Sequence, residues 1–133
     1  MQEFRHRIDT LLDEYDPDLV VREDFSYSSV NRAFSLGYIG FHIDQACYDR
    51  AIPHTCVAPK SRALFAAGNG GASKKQVIQA VARKWGFVTK DDNVADAYAL
   101  AMLGVELCRP QTTLRAELEV VKQARKNLYG DVV

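Results

Sequence analysis

Apolar residues at Phe4, Ile8, Leu11, Leu12 and Tyr15 recur near helical spacing until Asp16-Pro17-Asp18 interrupts them, so residues 2 to 15 are expected to form an amphipathic helix. Leu19-Val20-Val21 is short, apolar and β-branched, which predicts a strand with Arg22-Glu23-Asp24 at its carboxyl end. From about Ser29 to Arg50, Val30, Phe34, Ile39, Ile43, Ala46 and Cys47 mark a long helix. Within it Gly37 and Gly40 lie on nearly one side, which suits close packing against a sheet or a second copy. Ala51-Ile52-Pro53 breaks the pattern, His54 to Ala58 reads as a second strand, and Pro59 opens a short helix through Ala67. After the loop Gly68-Asn69-Gly70-Gly71-Ala72, Ser73-Lys74-Lys75-Gln76 matches a capping box for a helix carrying Val77, Val81 and Trp85. Gly86 ends it. Asp92 or Asn93 is expected to cap the next helix, which runs through Ala95, Tyr98, Ala99, Met102 and Leu103 to about Leu107. Beyond Pro110, Thr112 or Thr113 caps a last helix with Leu114, Leu118, Val121, Ala124 and Leu128 on its apolar side.

At 133 residues and 47% hydrophobic content, the chain is sized for one compact α/β domain without disulfides or a structural metal. No run approaches the ~20 apolar residues of a membrane span, and the N-terminus lacks the apolar stretch of a signal peptide, so a soluble, cytoplasmic protein with no membrane partner is expected. Cys47, Cys56 and Cys108 are odd in number and widely spaced, and read as free thiols. Seventeen acids balance seventeen Lys and Arg, but unevenly. Met1 to Asp24 holds eight acids against three arginines. Lys60 to Lys90 carries Lys60, Arg62, Lys74, Lys75, Arg83, Lys84 and Lys90 with no acid, a positive surface for a polyanion.

The candidate chemistry lies in Asp91-Asp92-Asn93-Val94-Ala95-Asp96-Ala97, read together with Glu23. Carboxylates supplied by a strand end and a helix start are the hard oxygen ligands that Mg²⁺ needs for phosphoryl chemistry. Asp92 and Asp96 are four apart and share a helix face. Asp91 and Asp92 also suit a helix N-terminus, whereas Asp96 sits in an Ala-rich stretch where an unpartnered carboxylate is costly. The glycine loop, leading into a helix start with two lysines, is a candidate phosphate grip, although Gly-x-x-x-x-Gly-Lys-Ser/Thr is absent. A nucleotide-binding α/β module using that loop is a weaker possibility.

Tyr15-x-Pro17-Asp18 leading into Val20-Val21-Arg22-Glu23-Asp24-Phe25 opens a series of family-like motifs. It continues with Leu36-Gly37, Ile52-Pro53 and Pro59 nine residues before Gly68, then Gly70-Gly71-Ala72-Ser73-Lys74-Lys75-x-Val77 and Asp91 to Ala101. Together these resemble the RuvC-type Holliday junction resolvases over about residues 5 to 104, with Lys84-Trp85-Gly86 and Asp91-Asp92-Asn93 closest to the phage branch. The resemblance implies a ribonuclease H-like fold, a homodimer, and nicking of four-way DNA junctions dependent on Mg²⁺, with Mn²⁺ as a substitute. Carried over by motif, Glu23 is the second-strand carboxylate with Asp24 as fallback, and Asp96 is the helix ligand with Asp92 or Asp91 as its partner acid. DNA contacts fall to Gly70, Gly71, Ser73, Lys74 and Lys75, and to Lys60 and Arg62 where relatives often carry a lysine pair in place of Ala63-Leu64.

The family begins with three antiparallel strands, the first bearing an essential aspartate, and this chain starts at the helix that follows them. The expectation is therefore an N-terminally truncated fold, with residues 1–108 a partial nuclease domain and 109–133 an extra C-terminal helix and tail. A misplaced start, or an edge covered by another copy, would also account for it. The alternative to a nuclease is a non-catalytic DNA-binding or assembly fragment of such a resolvase.

Overall fold

The computed structural model describes residues 2–24 and 30–132, with side chains given outside 30–36. Phe25 and the side chains of Val30, Phe34 and Leu36 lie outside the described residues. The elements in order are α1 (Gln2–Tyr15), β1 (Val20–Glu23), α2 (Val30–Asp49), β2 (His54–Val57), α3 (Pro59–Ala67), α4 (Lys74–Trp85), α5 (Asp92–Cys108) and α6 (Arg115–Lys126). None of these helices is long and apolar enough to cross a membrane.

β1 and β2 pair in parallel, Val20 with His54 through Glu23 with Val57. Strand alternation divides their side chains between two layers. Val20 joins Leu12, Ile43, Ala46, Cys47 and Ile52 beneath α1 and α2. Leu19 and Val21 face the main core, where Val57, Phe65, Leu100, Leu103, Leu107, Val120, Val121 and Ala124 meet. Gly104 lets α5 approach the sheet, since a Cβ there would stand 3.2 Å from Val21 Cγ2. A third cluster of Ala66, Val77, Val81, Ala95 and Ala99 joins α4 to α3 and α5. Cys47 is buried, and desolvation pushes its thiol up to about 11, so it stays protonated and inert.

The two edges of this small sheet differ. The outer edge of β2 is occupied: His54 and Tyr129 exchange N–H···O bonds of 3.0 and 2.8 Å, and Asn127 Nδ2 donates to the Cys56 carbonyl at 3.1 Å. At the other edge, Val21 and Glu23 turn their backbone groups away from β2, and no further strand pairs with them among the described residues. Glu23's carbonyl there accepts from Arg22 Nη1 at 2.9 Å. A groove of about 600 Å³ runs beside this edge, walled by Leu19, Val21, Ala97, Ala101 and Val105.

The elements break at Pro53, Pro59, Gly68 and Gly86 as expected, and the Ser73–Gln76 capping box forms with both of its hydrogen bonds. Two caps differ from expectation. Asp91, not Asp92 or Asn93, caps α5: its backbone is extended and its carboxylate accepts from Asn93 N at 2.9 Å and Val94 N at 3.3 Å. Leu114, not Thr112 or Thr113, precedes α6 and offers no side-chain cap. Thr112 instead braces the approach, accepting from Leu114 N and donating to Glu117. α6 stops at Lys126, so Leu128 falls outside the helix as the chain turns back to β2.

Candidate active site

Alternation along β1 decides which acid faces which layer. Glu23 shares Val21's side and reaches toward α3 and α5, where its Oε1 accepts from Arg62 Nη1 at 2.7 Å. Asp24 lies with Arg22 and Cys56, whose ionisation it influences. Arg22 in turn forms a fork to Asp44 with two bonds of 2.8 Å, seated where a Cβ on Gly40 would lie 3.1 Å from its guanidinium. Gly40 therefore serves packing against the sheet, while a Cβ on Gly37 would meet no atom of the described residues within 4 Å.

Asp96 enters from the second turn of α5, with Arg62 Nε 3.3 Å from its Oδ1. Arg62, Asp96 and Glu23 have side chains only 15%, 23% and 30% exposed. Burial pushes the Asp96 carboxyl above its ordinary range, the Arg62 guanidinium opposes that rise, and Glu23 and Asp92 add to it. Asp92, one turn earlier, pairs with Lys74 Nζ at 3.6 Å. Asp91 is occupied by its cap. Among the described residues no three acid, His or Cys side chains close into a cage that could hold a metal. Two acids instead converge on one guanidinium. Their oxygens suit a hard divalent cation, and a cationic group already occupies the space they share, so the donor chemistry fits one if Arg62 yields.

Of the expected DNA contacts, Lys60, Lys74 and Lys75 are exposed, whereas Arg62 turns inward to the acids. Lys84, part of the all-basic stretch, is also diverted: it donates to the Phe65 carbonyl at 2.7 Å, lies over the Trp85 ring and faces Glu117. Much of the glycine loop's backbone is engaged internally. Gly71 N donates to Asn69 Oδ1 at 2.8 Å and Ser73 N to Gln76 Oε1 at 2.8 Å. That leaves the first-turn N–H groups of Lys74 and Lys75 to face solvent or an anion. The role of Arg62 carried no signal in the sequence, since nothing local tells which way an arginine on a short helix points.

No family model matches the chain. The crossover junction endodeoxyribonuclease RuvC of Gloeobacter violaceus is 28% identical over 99 residues, 73% of this chain and 57% of that protein. Its counterpart in Prochlorococcus marinus subsp. pastoris is 31% identical over 104 residues, 77% of this chain and 66% of its own length. The chain thus spans a little over half to about two thirds of the curated relatives it matches. Among solved structures, Thermus thermophilus RuvC aligns with a TM-score of 0.62, and the same protein in complex with Holliday junction substrate with 0.64. Each of these is 24% identical and covers 76% of this chain and 63% of the other, which shows a shared ribonuclease H-like fold. Sequence kinship and fold lead to one family, and the chain belongs to the RuvC-type proteins.

Proposed function

We propose that this protein is a structure-selective DNA endonuclease that nicks branched DNA, four-way junctions in particular, with Mg²⁺ or Mn²⁺ as cofactor. The observation that carries this reading is the convergence of Glu23, at the carboxyl end of a parallel strand, and Asp96, on α5, around one shared cationic group. Relatives named crossover junction endodeoxyribonuclease, and a similar fold in complex with a Holliday junction, support the substrate class. A divalent cation bound there supplies activation of a water for attack on a phosphodiester. Glu23 and Asp96 would hold that cation, and Asp92, here paired with Lys74, would supply a further oxygen once released from that pair. Lys60, Lys74 and Lys75 position DNA through its phosphates, which gives shape-based, salt-sensitive binding rather than base readout. A homodimer is supported by exposed aromatic side chains on α2, where Tyr38, Phe41 and Tyr48 remain 49%, 57% and 58% accessible.

The test is a synthetic four-way junction incubated with the protein and Mg²⁺. Native protein is expected to nick it and spare a linear duplex of the same sequence, and Asp96→Asn is expected to abolish nicking. An unchanged rate in Asp96→Asn removes that carboxylate from the mechanism. The strand edge beside Glu23, unpaired among the described residues, favours one second reading, a DNA-binding or assembly fragment without cleavage. It predicts junction binding with no product in Mg²⁺ or Mn²⁺.

A further inference from the structure

Arg62 touches both acids of the candidate site, and its contacts with them are unequal. Nη1 donates to Glu23 at 2.7 Å, but Nε, 3.3 Å from Asp96, is too poorly aligned for a hydrogen bond and remains buried without an acceptor. A buried N–H without an acceptor costs free energy. The guanidinium is therefore held by a hydrogen bond at Glu23 but by charge alone at Asp96, and its position is one that other cations can contest. Its backbone is fixed: Arg62 lies in the first turn of α3, which begins at Pro59, and its N–H bonds to the Ala58 carbonyl. The head group can leave only by rotating the side chain's own torsions, a movement that disturbs no packed backbone. With Arg62 in place two carboxylates and one guanidinium sum to a single negative charge, and with it withdrawn the pair carries two.

We propose that Arg62 is the resident counter-ion of the Glu23–Asp96 pair, and that a divalent cation reaches these acids only by displacing it, so that Arg62 sets the metal concentration at which the site loads. This rests on the metal-dependent reading above and deepens it. In the metal-free protein Arg62 keeps two facing carboxylates from repelling each other. The same contact keeps the site closed to weakly bound cations.

The experiment measures Mn²⁺ binding to the full chain without DNA, by electron paramagnetic resonance of the free ion, with circular dichroism confirming the fold of each variant. Arg62→Gln is expected to bind Mn²⁺ roughly tenfold more tightly than native protein, the scale expected from removing one close, partly screened charge. Adding Asp96→Asn to Arg62→Gln should erase the gain. If Arg62→Gln does not fold, Arg62→Lys carries the test: a single ammonium spans both acids less well than a guanidinium fork, so tighter binding than native is still expected. Equal or weaker Mn²⁺ binding by the folded variant overturns the counter-ion role while native binding upholds the metal site. Failure of native and variant protein alike to bind millimolar Mn²⁺ overturns both.

Discussion

A single missing Cβ separates the two glycines of α2. At Gly40 an added methyl would stand 3.1 Å from Arg22 Cζ and Nη1, against a guanidinium fixed by its fork to Asp44. At Gly37 it would meet none of the described atoms within 4 Å. Gly40→Ala is expected to destabilise the protein by about 1–2 kcal/mol through overpacking. Gly37→Ala should stabilise it by roughly 0.5–1 kcal/mol, because alanine loses less backbone freedom in a helix. Urea denaturation of the two variants checks both signs, and a similar shift in each would contradict the packing. Their spacing showed that the two glycines share a side, but not which one an arginine from a strand would reach. For the strand acid the sequence points to Glu23, with Asp24 as fallback. The pleat separates them, because consecutive strand residues face opposite layers and only Glu23's layer contains Asp96.

At the scale of elements, α1 stands apart from the rest. Leu12 is its only buried residue, and much of its attachment is ionic: Arg5 bonds Asp9 and Asp49, while Arg50 of the α2 terminus reaches Asp9 and Asp13. Hydrogen bonds from these arginines hold the carboxyls of Asp9, Asp13 and Asp49 below their ordinary range. A depressed carboxylate contributes stability that is full above its unfolded-state pKa and is lost as pH falls through its folded-state value. These pairs lie at the surface, partly to well exposed, so each contributes little and salt weakens them. Amide hydrogen exchange should therefore show α1 opening before α5 as the solution is acidified through the carboxylate range, and earlier still at high salt. Equal protection of the two helices under acid would refute this. The elements themselves were legible in the sequence, because Asp16-Pro17, Pro53, Pro59, Gly68 and Gly86 leave little freedom in where helices and strands stop. The caps were less so. Asp91, Asp92 and Asn93 can all accept from a helix start, and only the backbone at Asp91 decides among them.

For the whole molecule, the basic stretch from Lys60 to Lys90 does not form one surface. Arg62 and Lys84 are taken up by partners within the fold, while Lys60, Lys74 and Lys75 are exposed, Lys74 beside Asp92. This divides two kinds of lysine that the sequence could not tell apart. Replacing Lys74 and Lys75 with Ala should flatten the slope of log affinity for junction DNA against log salt by about 2, one unit for each lost phosphate contact. Lys84→Ala should leave that slope unchanged and instead lower the unfolding midpoint, since it removes the donor to the Phe65 carbonyl and one of the partners of Glu117. Unequal edges shape the molecule in another way. Tyr129 and Asn127 cap β2, while no strand among the described residues pairs with the other side of β1. A sheet open on both sides is a link that can be repeated without end, but a sheet open on one side is a terminus. Two copies joining through β1 would use up the one strand edge that the described residues leave unpaired, so association by this route would end at a pair.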